Sequence, residues 1–118
     1  MFRSFLRSKI HGAEITEANV NYRGSLAIDP ELMRLADIAE FERIDVYNLD
    51  NGERLTTYAI EGEPGRICLN GAAALRGEVG QRIIIAAYAW LNDEEVESFK
   101  PTVVLVGKYN AADEVIKP

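Results

Sequence analysis

A chain of 118 residues is close to the modal size of one domain, so a single core and a single site are expected. The apolar fraction of 47% is ordinary for a globular protein, and the longest apolar run, Ile83 to Leu91, is far short of the roughly 20 residues a membrane helix needs. The net charge of −6 with dispersed basic residues argues against nucleic acid as a partner, whereas a small anion would require a local clamp of Arg and Lys.

The N-terminal segment Met1 to Arg7 alternates basic with apolar residues and lacks the uninterrupted apolar stretch of a secretory signal, so a cytoplasmic location is expected. Cys68 is the only cysteine and His11 the only histidine, which removes an internal disulfide and a His/Cys metal cage from consideration. No metal site is expected.

In chain order, Phe2 to Ile10 alternates with a period near two and reads as a strand. Ala18 to Tyr22 reads as a second extended piece that runs into the break Arg23-Gly24-Ser25, after which Leu26-Ala27-Ile28 follows. Asp29 is a helix cap with Pro30 in the first turn, and Leu32, Leu35, Ala36 and Ala39 recur at helical spacing, which predicts a helix ending near Glu40. Arg43 to Leu49 and Arg54 to Ile60 favour strands, joined by the positive-φ turn residues Asp50-Asn51-Gly52. Glu61 to Gly65 reads as a turn, Arg66 to Leu69 as a short strand, and Asn70 to Leu75 as a run of small residues able to begin a short helix.

After Gly77-Glu78-Val79-Gly80, the unbroken apolar run from Arg82 to Trp90 predicts a central strand buried on both faces. Asn92 caps a short helix through Glu97, Pro101 leads into the strand Thr102 to Val106, and the last ten residues read as a tail. Short strands, two short helices and many Gly turns, with no strand–long helix–strand alternation, predict a mainly β chain folded as one small barrel.

The chemistry is narrowed by what the chain lacks. There is no Gly-x-Ser-x-Gly elbow for a hydrolase, no phosphate loop ending in Lys, and no Gly-x-Gly-x-x-Gly fingerprint. Tyr22-Arg23-Gly24-Ser25 by itself is an ordinary turn sequence. Taken with Asn51 to Ile60, Asn70-Gly71-Ala72-Ala73-Ala74, Lys9-Ile10-His11 and the Ile83 to Ala87 strand, however, the ordered set closely resembles the aspartate 1-decarboxylase family over nearly the whole chain. Two positions depart from the family pattern: Leu26 directly after the serine, and Tyr47 where a tryptophan is familiar.

The resemblance implies a six-stranded double-psi β-barrel assembled as a homotetramer, and a pyruvoyl cofactor that the chain makes from itself. It also implies conversion of L-aspartate to β-alanine for pantothenate synthesis. In that scheme the Ser25 hydroxyl attacks the Gly24 carbonyl, the chain is cut into residues 1–24 and 25–118, and Ser25 becomes a pyruvoyl ketone. An amino acid then joins that ketone as a Schiff base, which takes up the electrons left behind by the departing carboxylate; no ordinary side chain can accept them.

The same resemblance gives the remaining roles. Tyr58 is the proton donor, and Thr57 stabilises the oxyanion at Gly24. Arg54 and Lys9 form the cationic clamp for substrate carboxylates, while Asn70, Gly71, Ala72 and Ala73 let substrate approach the backbone closely. No motif speaks for or against a helper protein in maturation. Two rival readings remain at this stage: a pyruvoyl decarboxylase of another amino acid, and a non-enzymatic ligand-binding barrel in which Gly24-Ser25 is only a turn.

Overall fold

The computed structural model describes all of residues 1–118 and is built mainly of strands. These are β1 (Arg3–Glu14), β2 (Glu17–Asn19), β3 (Leu26–Ile28), β4 (Arg43–Asn48), β5 (Arg54–Glu61), β6 (Ile67–Asn70), β7 (Arg82–Leu91), β8 (Thr102–Val106) and β9 (Ala112–Ile116). Two short helices, α1 (Pro30–Ala36) and α2 (Asp93–Ser98), and 3-10 turns at Gly71–Arg76 and Lys108–Asn110 complete the chain. No helix is long and apolar enough to cross a membrane.

The strands hydrogen-bond in the order β2-β6-β3-β5-β4-β7-β1-β8-β9, with parallel pairs at β1/β8, β2/β6 and β3/β5. β1 and β2 are separated in the chain by only Ile15 and Thr16, yet they occupy distant places in that order. The sheet must therefore curl until its two sides meet. The seam is closed by Thr16, whose N–H donates to the Ile67 carbonyl at 2.8 Å and whose hydroxyl accepts from the Ile67 N–H at 3.0 Å. Nine strand segments thus replace the expected six, because β2 and β3 are three-residue pieces and β9 is additional.

The interior of the curl is one apolar cluster that includes Ile10, Ile28, Ile44, Val46, Ile67, Ile85 and Val104. These residues come from alternate positions of their strands, as a two-residue side-chain period requires. In β1 the register against β7 shifts between Leu6 and Ser8 and again between His11 and Ala13. Gly12 sits at the second shift with φ of +88°, a conformation glycine adopts without steric cost.

Three expectations change. The helix stops at Ala36 because Asp37 turns left-handed (φ 53°) and its N–H bonds back to the last turn, so Ala39 never joins the helical face. β7 is buried on both faces only in its first half: pairing with β4 ends at Ala86, and Tyr88 and Trp90 beyond it are 41% and 71% exposed. The supposed C-terminal tail contains β9, which pairs antiparallel with β8 through Val104 and Val115. β9 is exposed along nearly its whole length, so no apolar alternation marks it in sequence.

Candidate active site

The loop between β2 and β3 carries the Gly24-Ser25 junction to one end of the barrel. Gly24 has φ of +101°, and a Cβ placed there would lie 3.0 Å from Ile60 Cδ1. The backbone conformation thus favours glycine, and a Cβ would press on the tip of the Ile60 side chain. Ser25 is half-buried, and its carbonyl accepts the Asn70 N–H at 2.8 Å. That bond fixes the chain immediately after the junction to the end of β6, before β3 enters the core.

Asn70 is 4% exposed and precedes the 3-10 turn Gly71–Arg76. The turn brings Ala72 and Ala73 into a cleft of about 320 Å³ shared with Ser25, Leu55, Thr56, Thr57, Leu75 and Arg76. Four of the residues singled out from sequence therefore meet in one place: Ser25, Thr57, Ala72 and Ala73. The methyl side chains of the two alanines keep the cleft open beside the serine. On the other side of the loop a second cleft of about 440 Å³ is lined by Tyr22, Asn70, Cys68, Glu17, Glu61 and Glu63, among others. Burial and the Glu17 carboxylate push the Cys68 thiol up, which keeps it protonated and unsuited to attack.

Lys9, Arg54 and Tyr58 lie elsewhere. Across the sheet Lys9 is level with Ala86, Ala86 with Asp45, and Asp45 with Thr56. Residues level with one another share a face, so Lys9 lies on the same outer surface as Thr56 and its alternates Arg54 and Tyr58. Thr57, between Thr56 and Tyr58, is level with the core residue Ile44 and points the other way. Within one chain the candidate residues thus fall into an inner half around Ser25 and an outer half on the β1-β7-β4-β5 surface.

The outer half is organised by aromatic groups. The Arg54 guanidinium stacks 4.5 Å from the centre of the Tyr47 ring, and the Tyr47 and Tyr88 hydroxyls are 2.7 Å apart. Partial burial, followed by that hydrogen bond, drives the Tyr47 phenol well above its ordinary value. His11, in the row of Ile84 and Tyr47, is held below the ordinary histidine value by burial first and by Lys9 and Arg82 second. The neutral imidazole is thereby favoured. Sequence reasoning missed Arg76 and Tyr88, since neither is marked by local pattern and both gain partners only through distant strands.

The family model described as aspartate decarboxylase matches residues 1–113 of the chain. A protein of Cupriavidus necator named aspartate 1-decarboxylase is 48% identical over 119 residues, covering 99% of this chain and 99% of that protein. One of the same name from Thermoanaerobacter pseudethanolicus is 52% identical over 112 residues, covering 93% and 96%. A third, from Campylobacter hominis, is 48% identical over 109 residues, covering 92% and 96%. With a β-barrel whose Gly24-Ser25 loop, small-residue turn and Thr57 converge on one cleft, and with identity of this extent along the whole chain, the protein belongs to the aspartate decarboxylase family.

Proposed function

We propose that the protein is the self-cleaving precursor of a pyruvoyl-dependent L-aspartate decarboxylase, a double-psi barrel that makes β-alanine for pantothenate synthesis in the cytoplasm. The observation that carries this reading is the placement of Ser25 beside Thr57, Ala72 and Ala73, directly after a glycine in a conformation other residues avoid. In maturation the Ser25 hydroxyl adds to the Gly24 carbonyl and the Gly24–Ser25 C–N bond breaks, leaving an ester and a free amine. β-Elimination releases residues 1–24 as a carboxylate and leaves dehydroalanine at residue 25. Water then replaces its nitrogen, giving ammonia and the pyruvoyl ketone. Thr57 supplies a hydroxyl for the oxyanion formed at Gly24, and the Asn70 N–H keeps the new terminus anchored after the cut.

The cleft fits such a group because residue 25 is half-buried, tethered at its carbonyl and flanked by small side chains. Once formed, the ketone supplies the electron sink that decarboxylation of an amino acid requires. Arg54 and Lys9 hold substrate carboxylates, and Tyr58 returns a proton to carbon through its phenol O–H. Asn70, which lines the neighbouring cleft, orients the substrate through its amide, and Gly71, which opens the turn leading to Ala72 and Ala73, lets substrate approach the backbone closely.

The outer position of Lys9, Arg54 and Tyr58 supports a homotetramer in which the outer face of one chain completes the Ser25 cleft of its neighbour. The experiment is intact mass spectrometry with an assay for β-alanine. Processing is expected to give residues 1–24 and a pyruvoyl-blocked 25–118, with Ser25→Ala remaining uncut. A single full-length mass after prolonged incubation overturns the reading. Cleavage without β-alanine points to a different amino acid substrate.

A further inference from the structure

Among the residues lining the Ser25 cleft, Arg76 alone carries a formal charge. Its backbone is fixed from the β4–β5 hairpin: the Arg76 carbonyl accepts from Asn48 Nδ2 at 3.3 Å and from Asn51 Nδ2 at 3.1 Å. Its side chain makes one hydrogen bond in the chain, from Nη1 to Glu53 Oε2 at 2.6 Å. The Nε and Nη2 donors remain free to take another acceptor.

An ion pair whose partners are 50% and 45% exposed does little for stability. Its position matters more, because Glu53 presents a carboxylate to the one cation that the chain itself places at the cleft, as an incoming anionic substrate would. From this we infer that Arg76 is a specificity-determining residue: it receives a substrate carboxylate at the cleft, and Glu53 competes for it. Arg54 and Lys9 do not line this cleft within the same chain. The inference rests on the proposed reaction at Ser25. It adds a contact selecting dicarboxylic over neutral amino acids and predicts that Glu53 lowers substrate affinity.

The two partners give opposite expectations, which separates this role from a structural one. Arg76→Gln should raise KM for aspartate about fivefold, an effect that shrinks at high salt, and weaken competitive inhibition by succinate. Arg76→Lys should recover part of the loss. Glu53→Gln, which removes the competing carboxylate, should lower KM about twofold. A pair that merely held the hairpin would shift KM in the same direction in both variants, or in neither, and either result overturns the inference.

Each sample is first shown by intact mass to be cleaved and by saturating aspartate to turn over. Wild-type protein that fails there overturns the proposed function itself. Active wild type with both KM values unmoved overturns only the role of Arg76. If Arg76→Gln fails to fold, Arg76→Lys and Glu53→Gln still decide: unaltered KM and succinate inhibition in both count against it.

Discussion

At Gly24 two independent constraints fall on one residue: φ of +101° and a neighbour, Ile60, standing where a Cβ would point. An L residue in such a conformation costs on the order of 1–2 kcal/mol before any contact is counted. In the proposed maturation Gly24→Ala should therefore fold yet cleave at least tenfold more slowly, as the loop shifts around the scissile bond. A time course of intact mass checks this, and wild-type kinetics would show that the conformation is incidental. His11 makes a different kind of statement. Its value in the folded state lies below the ordinary one of 6.5, so the stability it contributes is full above that pH and is lost as pH falls through the folded value. Urea midpoints at pH 7 and pH 5 should drop less in His11→Gln than in wild type; equal drops would remove His11 as a source of acid sensitivity.

Elements with local signals begin where the sequence places them. Asp29 accepts the Glu31 N–H at 2.7 Å with Pro30 in the first turn, and Asn92 and Glu95 form a reciprocal capping box on α2. Gly52 closes the β4–β5 hairpin at φ of +74°. Elements without local signals depend on distant partners, and β9 is the plainest case. Its approach is set by Asn110, which is 3% exposed, accepts the Glu14 N–H at 2.7 Å, and donates to the Glu14 and Gly65 carbonyls at 2.9 and 3.1 Å. Asn110→Ala leaves these backbone groups unpaired and should cost about 2 kcal/mol in chemical denaturation. Amide exchange in Ala112–Ile116 should rise with it; a change below about 0.5 kcal/mol would show that water replaces the side chain without loss.

For the whole molecule, the proposed homotetramer turns on the division of the candidate residues into an inner and an outer half. If neighbouring chains complete one another, two defective chains can repair each other. In the proposed reaction Ser25→Ala lacks the inner half, and Arg54→Ala has a weakened outer half. Co-assembled in equal amounts, they should regain wild-type affinity for aspartate in roughly a quarter of their sites, the fraction pairing an intact half from each. Measured at low aspartate, where Arg54→Ala is slow, no recovery would mean that each chain builds its site alone.

The residues of the inner half were legible in sequence, since Gly24-Ser25, Thr57 and the Asn70 to Ala73 run form motifs of fixed local spacing. Helix caps, the hairpin turn and the apolar run of β7 were legible for the same reason: they arise from interactions within a few residues along the chain. The separation of Thr57 from Tyr58 onto opposite faces, the pairing of Arg76 with Glu53, the burial limit of β7 at Ala86 and the existence of β9 were decided by tertiary structure alone. Each depends on which strand lies beside which and in what register. Register is set by the packing of the entire core, and no short window of sequence contains it.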